Sequence, residues 1–261
     1  MSILNCNKNQ IRELIQEAYD RDEYFFYIEN EIFSFYISYF EGEDREVMMH
    51  INNEYETQLK LNEINDEVNN IIYIYDQFII SDDFGYINAI VSEYNNREDF
   101  NDVIKDMKLD DIVNVYLQII LCLNSINQTY EYIHGSLYLY HIGVGFFEEE
   151  KTLIYEVLIN GNLTEIKLQT LFDVKIDFNN RILYDNFKPE HDIYKFTKYV
   201  HCYLNKTGFK NVNIFKDIID YIKLGHSYDN ILFYIISKTN HINIYNNVES
   251  LLLYKLLETS F

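Results

Sequence analysis

The stretch Tyr132-Ile-His-Gly-Ser-Leu-Tyr-Leu-Tyr-His-Ile-Gly-Val144 decides how this chain is interpreted. It follows a run between residues 109 and 126 in which apolar side chains recur every three or four positions, and this spacing predicts a long helix. Asp110 and Asp111 near the start of that run suit the positive end of the helix dipole. The strand-like run Ile142–Phe147 comes next. The quoted stretch therefore joins a long helix to a strand.

Composition bounds the class of protein. The chain has 261 residues, of which 48% are hydrophobic, so it can bury one large core or two modest ones. It has a single proline and eight glycines, so no Pro- or Gly-rich linker separates domains. The net charge of −21 argues against nucleic acid and anionic membrane as partners, because both attract clustered cations.

The chain carries neither a disulfide framework nor an apolar leader. Its three cysteines, Cys6, Cys122 and Cys202, are far apart and odd in number, which favours a reducing compartment. Residues 1–10 contain no apolar signal core, and no run approaches the roughly 18 apolar residues needed to span a membrane. We therefore expect a soluble, intracellular, cytoplasmic protein.

The pattern of apolar residues divides the chain into a sheet-rich first part and a helix-rich remainder. The first part begins with a short helical pattern over residues 11–22. Five strands and one helix are predicted after it: Tyr24–Ile28, Ile32–Phe40, Val47–Ile51, the helix Glu54–Ile64, Ile71–Ile80 and Tyr86–Tyr94. The remainder is predicted to add the strands Ile142–Phe147, Thr152–Ile159 and Phe172–Ile176, with helices over Asp192–Leu204 and from Val212 to the C-terminus. This is an α+β pattern.

The quoted stretch resembles the catalytic loop of protein kinases, His-Arg/Gly-Asp-Leu-x-x-x-Asn. His134 and Leu137 match the pattern, but Ser136 occupies the position of the catalytic Asp and His141 that of the metal-binding Asn. The resemblance implies a bilobal protein-kinase-like fold. Its antiparallel-sheet N-lobe would be formed by residues 1–94 and its mainly helical C-lobe by residues 95–261.

The departures from the kinase pattern affect the chemistry. A serine hydroxyl is a very poor proton acceptor at neutral pH, and histidine is a poor ligand for Mg²⁺, which prefers oxygen. The resemblance also puts Glu29, Glu31 and Ser34 where the phosphate-binding loop has glycines. His50 stands where the phosphate-binding lysine would be, and the partner of that lysine would be either Glu54 or Glu56.

The remaining kinase positions are also identified through the resemblance. Glu93 and Tyr94 would form the hinge beside the adenine pocket. Asp177 would be the metal ligand, with Phe178 after it and Asn179 in place of glycine; a rival alignment puts Glu156 at the metal position. Asp192 would brace the catalytic loop from a following helix. The additional residues around 155–162 look like the extra hairpin in kinases of large DNA viruses.

The sequence therefore predicts a catalytically impaired protein-kinase-like protein, a pseudokinase. We expect no cofactor, or weak binding of ATP and Mg²⁺, and a host or viral kinase or a kinase substrate as protein partner. The alternative is an unconventional serine/threonine kinase that uses Asp177 as its metal ligand. Residues 41–67 carry nine acidic side chains against Arg45 and Lys60, either as a solvated face or as a patch for a basic partner.

Overall fold

The chain folds into two compact units. The computed structural model describes residues 7–21, 23–29, 31–41, 49, 52, 55–56, 59–63, 70–81, 85–130, 134, 137–159, 162–178, 190–210, 212–239 and 244–246. Unit 1 comprises residues 1–66, 71–96 and 177–181, and unit 2 comprises residues 67–70, 97–176 and 182–261. Both units combine helices with an antiparallel sheet, as an α+β protein does.

Unit 1 is built on a four-stranded antiparallel sheet. Its elements in chain order are α1 (Lys8–Asp20), β1 (Phe25–Ile28), β2 (Glu31–Glu41), β3 (Ile74–Ser81) and β4 (Gly85–Glu93). The strands are arranged in the order β1-β2-β4-β3. Between β2 and β3, the described residues Met49, Asn52, 55–56 and 59–63 have helical backbone.

Helix α1 covers one face of this sheet. The side chain of Asn7 caps the helix by accepting a hydrogen bond from the Asn9 backbone N–H at 3.0 Å. Ile11, Ile15 and Ala18 recur at helical spacing, so they share one side of the helix and are buried there. They belong to an apolar core with sheet residues Phe26, Ile28, Phe33, Phe35, Phe78, Ala89 and Val91.

Most elements predicted for this unit are present, but one predicted strand is wrong at the residue that the structure describes. Met49, the described residue within the predicted strand Val47–Ile51, is helical. A short apolar run does not by itself distinguish a strand from a buried helix, and here the helical conformation begins before residue 54. The described part of unit 1 consequently contains four strands instead of five.

Unit 2 combines a second antiparallel sheet with helices. Its elements are β5 (Glu98–Asp99), α2 (Phe100–Val103), α3 (Leu109–Tyr130), β6 (Ile142–Ile159), β7 (Asn162–Ile176), α4 (Glu190–Lys206), α5 (Asn213–Lys223), α6 (Tyr228–Thr239) and β8 (Ile244–Asn246). The strand order is β5-β6-β7-β8. Strand β8 contradicts the prediction of helix from Val212 to the C-terminus, because three residues that lie in that range pair with β7.

Helix α3 forms the centre of unit 2. The fully buried Tyr116 stacks on Phe196 of α4, with ring centroids 5.8 Å apart, and meets Phe215 of α5 edge-on at 5.2 Å. Its hydroxyl lies 2.7 Å from Thr197 Oγ1, so the polar end of the ring is also satisfied. Among the described residues, α3 is the one helix long and apolar enough to cross a membrane, and 83% of its most apolar stretch is buried inside the protein.

Strands β6 and β7 form one long hairpin. The sequence predicts three separate strands here, whereas Ile142–Ile159 and Asn162–Ile176 are each continuous and pair along most of their length. The register shifts between Phe146 and Lys151, which is where the prediction divides the strand. The hairpin thus includes the additional residues that the sequence indicates around 155–162.

Candidate functional site

A buried hydrogen bond fixes the loop that follows α3. The backbone N–H of His134 donates to Asp192 Oδ2 at 2.6 Å. His134 is 1% exposed and Asp192, in the first turn of α4, is 3% exposed. Hydrogen bonds to an ionised acceptor are short and stronger than neutral ones. Asp192 therefore ties the start of the loop to helix α4.

The side chain of His141 is used within the same loop. Residues Leu139–His141 form a 3₁₀ turn, and His141 Nδ1 accepts a hydrogen bond from the Tyr138 backbone N–H at 3.2 Å. Its ring centroid also lies 4.3 Å from that of Tyr140 and 5.5 Å from that of His134. The Nδ1 lone pair that caps the turn is not simultaneously available to a metal ion. Ser136, the other substituted position of this loop, lies outside the described residues, as do His50 and Glu54.

The stretch predicted as a phosphate loop is a tight hairpin. Ile28 pairs with Glu31, so β1 and β2 are joined by a turn of two residues whose first member is Glu29. Glu29 has φ +56°, in the left-handed region that such turns require and glycine tolerates best. Both glutamates are exposed, and Ser34 lies within β2 instead of in the turn. The first residue of the turn is therefore a glutamate in a conformation that glycine adopts more easily.

The predicted hinge residues are held by other groups of unit 1. Glu93 Oε1 accepts from the Tyr73 backbone N–H at 3.2 Å, and the Glu93 carbonyl accepts from Ser34 Oγ at 2.7 Å. The ring of Tyr94 meets Phe25 edge-on, with centroids 5.9 Å apart. Partial burial, and then the negative charges of Glu93 and Glu31, raise the pKa of Tyr75. This part of unit 1 consequently carries negative charge.

Asp177 lies just after the hairpin, whereas its rival Glu156 lies within it. Asp177 follows the last residue of β7 and is half-buried, and Phe178 after it is buried. Glu156 lies in the middle of β6, is exposed and pairs directly with Glu165 of β7. Among the described residues no group of three or more His, Cys, Asp or Glu side chains is arranged to hold a metal ion. Glu56, the described alternative for the lysine partner, is exposed.

A buried polar network in unit 2 was not predicted. Asn70 Oδ1 accepts from the Tyr155 hydroxyl at 2.7 Å, and Asn70 Nδ2 donates to the Val174 carbonyl at 2.9 Å and to Gln118 Oε1 at 3.2 Å. The Asn70 carbonyl also accepts from the Ile176 backbone N–H at 2.7 Å. The network therefore fixes the end of β7 immediately before Asp177. Its members are far apart in the chain, so no local pattern identifies them.

Two further groups of unit 2 were also missed. Arg97 donates to Asp173 Oδ2 through Nε at 3.0 Å and through Nη2, and both side chains are largely buried. On the surface, Tyr138 stacks on Tyr140 with centroids 5.3 Å apart and contacts Tyr199 of α4 at 4.7 Å. A hydrogen bond with Tyr138, followed by partial burial and the two neighbouring tyrosines, raises the pKa of Tyr199 to about 12. The abundance of tyrosine in the chain hides such a cluster from sequence analysis.

No protein-family model matches the chain, and no curated protein shows significant similarity to it.

Proposed function

We propose that this chain is a catalytically impaired protein-kinase-like protein, that is, a pseudokinase. It would be an intracellular viral protein that acts by binding another protein. The observation that carries the proposal is the hydrogen bond from the His134 N–H to Asp192 Oδ2. It joins the kinase-like loop to the helix in which the resemblance implies a bracing aspartate. The order of helix, loop, hairpin and Asp177 before that helix agrees with the same resemblance.

The surroundings of the substituted positions support loss of catalysis. In kinases the phosphate loop, a lysine, a catalytic Asp and two metal ligands position and neutralise the phosphates, and these contributions account for most of the rate. Here the hairpin turn contains Glu29, and Glu31 and Glu93 add negative charge beside Tyr75. His141 Nδ1 caps its own turn. A triphosphate would thus meet carboxylates where kinases offer backbone amides and a cation.

One feature of unit 1 differs from the implied kinase plan. Its described residues form a four-stranded sheet, whereas the resemblance implies five strands. The strand that would carry the lysine is predicted over residues 47–51, where the described residue Met49 is helical. The number of strands therefore argues against the kinase plan. The helical backbone at Met49 is consistent with the loss of the phosphate-binding lysine.

The second candidate function is an unconventional serine/threonine kinase. The observation that favours it is the half-buried Asp177 directly after β7, beside the buried Phe178. A carboxylate can hold Mg²⁺ without help from the other substituted positions, although each missing element lowers the rate by orders of magnitude. The two candidates differ in whether phosphate is transferred.

Phosphate transfer distinguishes them directly. We would measure incorporation of labelled phosphate into the chain itself and into a mixed protein substrate, with Mg-ATP, for the wild type, Asp177→Ala and Ser136→Ala. Asp217→Ala, a change at an exposed carboxylate of α5, is the matched control. We expect no transfer above background for any of the four. Robust transfer that persists in Ser136→Ala and Asp217→Ala but is lost in Asp177→Ala would establish the unconventional kinase.

Nucleotide binding is tested by thermal unfolding with and without Mg-ATP. A ligand at 100 times its dissociation constant stabilises the folded state by about 2.7 kcal/mol, which is readily measured. We expect no shift with micromolar Mg-ATP. A clear shift that Asp177→Ala abolishes would show that a nucleotide site is retained, and the protein would then be nucleotide-regulated instead of a scaffold without ligand.

Partner binding is tested by affinity purification from the native cell at low and moderate salt, followed by reconstitution with the purified partner. If the acidic residues 41–67 dock a basic partner, charge reversal of Glu41, Glu43, Asp44 and Glu46 should weaken binding, and added salt should have the same effect. Failure to recover a partner at either salt would contradict the binding role. If charge reversal leaves the interaction intact, the partner binds a different surface of the protein.

A further inference from the structure

One stretch of this acidic chain carries only positive charge. The chain as a whole has 42 acidic and 21 basic side chains, yet residues 193–216 contain no Asp or Glu. The five lysines of this stretch are Lys195, Lys198, Lys206, Lys210 and Lys216. Helix α4 and the start of α5 therefore form a local reversal of the net charge.

The lysines of α4 lie on one face of the helix. At about 100° per residue, Lys206 lies about 20° from Lys195 around the helix and Lys198 about 60° from Lys195 on the other side, so the three share one face. Lys198 and Lys206 are exposed and Lys195 is half-buried. With His191, one turn before Lys195, the row extends over 16 residues, or about 22 Å of helix.

The row of lysines is bordered by the tyrosine cluster. Tyr199, 38% exposed, follows Lys198 in α4, and through Tyr138 it continues to Tyr140, which is 57% exposed. We name Lys195, Lys198, Lys206, Tyr140 and Tyr199 together the basic-aromatic surface. Acidic side chains return beyond Tyr203, whose hydroxyl donates to the Asn101 carbonyl beside Asp102, so the surface ends on that side.

We propose that the basic-aromatic surface binds an acidic segment of a partner protein. Lysine ammonium groups attract carboxylates, while exposed tyrosines provide apolar contact area together with hydroxyl donors, and aromatic residues are enriched at protein interfaces. A row of about 22 Å accommodates about seven residues of extended chain. The partner class rests on the proposed protein-binding role, but the surface requires no assumption about phosphate transfer.

Charge and size favour an acidic protein segment over nucleic acid. The net charge of −21 repels a long polyanion at distances beyond the patch, whereas a short acidic segment interacts mainly with the patch itself, because salt screens charges farther away than about 8 Å. Non-specific binding to nucleic acid also depends on neutralising many phosphates, and this surface offers three lysines.

The test measures binding of the full chain to a fluorescein-labelled peptide of about twelve residues with a repeating Glu-Glu-Phe sequence, long enough to span the surface. Fluorescence anisotropy gives the dissociation constant. The double variant Lys198→Glu/Lys206→Glu should bind about tenfold more weakly, because it loses two ion pairs and introduces repulsion. The variant Lys105→Glu/Lys108→Glu is the matched control, since it changes the net charge equally at exposed positions outside the surface.

Two further measurements complete the test. Tyr140→Ala should weaken binding of the peptide severalfold, whereas Tyr203→Phe, at the edge of the surface, should not. A labelled oligothymidylate of similar length should bind more weakly than the peptide. Equal weakening by the control lysine variant, equal binding by Lys198→Glu/Lys206→Glu and the wild type, or tighter binding of the oligothymidylate would overturn the proposal. Detection of phosphate transfer would overturn the pseudokinase assignment and leave this result unaffected.

Discussion

Replacement of Asp192 by alanine tests the contact on which the proposed relationship rests. In the wild type, Asp192 Oδ2 accepts the His134 N–H at 2.6 Å, and both residues are almost completely buried. Asp192→Ala removes the acceptor and leaves the His134 N–H buried without it. Asp192→Asn retains an acceptor oxygen of similar shape but removes the charge, so the two variants separate the hydrogen bond from its electrostatic component.

The magnitude follows from the burial of the pair. A hydrogen bond to a charged group contributes about 1.5–3 kcal/mol, and a buried N–H that loses its partner adds a desolvation penalty. We therefore expect Asp192→Ala to lower the free energy of unfolding of unit 2 by about 2–4 kcal/mol, and Asp192→Asn to lower it by about 1 kcal/mol. Asp217→Ala, at an exposed carboxylate of α5, should change it by less than about 0.5 kcal/mol.

Two assays measure the effect. Urea unfolding followed by far-UV circular dichroism gives the global change, which suits a chain without tryptophan. Hydrogen exchange gives the local change. The His134 amide should exchange about 30-fold faster when the free energy of its local opening falls by about 2 kcal/mol. If Asp192→Ala matches Asp217→Ala in stability and the His134 amide retains its protection, the loop does not depend on Asp192 and the central argument for the kinase-like relationship fails.

Three further predictions concern single side chains, with stability measured by urea unfolding. Asn124 of α3 is fully buried, and its Nδ2 and Oδ1 have no hydrogen-bond partner among the described residues, so Asn124→Leu should stabilise the protein by about 1–2 kcal/mol; destabilisation would show that the amide has a role in packing or hydration. Glu29→Gly should be neutral or stabilising by up to about 1 kcal/mol because of the φ of +56°, while Glu29→Val should destabilise, and the reverse order would refute a left-handed turn. Glu156→Lys should stabilise by about 0.5 kcal/mol by relieving repulsion from Glu165, and this gain should shrink in high salt; a gain that is independent of salt would exclude this cause.

Apolar periodicity accounts for the elements that the sequence predicts well. Helix α3 has buried side chains at almost every position between Ile112 and Ile126, and the predicted stripe identifies its most apolar face. The hairpin of β1 and β2 and helix α4 were also predicted within a few residues of their observed bounds. The helices bury one stripe of side chains at helical spacing, and the strands bury alternate side chains. Both periodicities can be recognised in the local sequence.

Elements whose conformation depends on distant partners were predicted poorly. Nothing in residues 47–51 distinguishes a strand from the helical backbone seen at Met49. Strand β8 forms by pairing with residues 166–168, almost 80 positions earlier, so its local sequence was assigned to a helix. The contact between Asn70 and Val174 spans 104 residues. Such contacts are products of the fold and have no local signature.

In the proposed relationship, the hydrogen bond that holds His134 is distinct from the groups that phosphate transfer would require. Asp192 accepts a backbone N–H, and this hydrogen bond does not require a particular side chain at position 134. The end of β7 is likewise held by Asn70 and Gln118 through their amide groups. In the proposed relationship Ser136 and His141 stand where a base and a metal ligand would be, and the hydrogen bond from the His134 N–H to Asp192 requires neither of those groups. The proposed basic-aromatic surface, which includes Tyr140 and Lys198, lies on the same unit, and binding there would not require phosphate transfer.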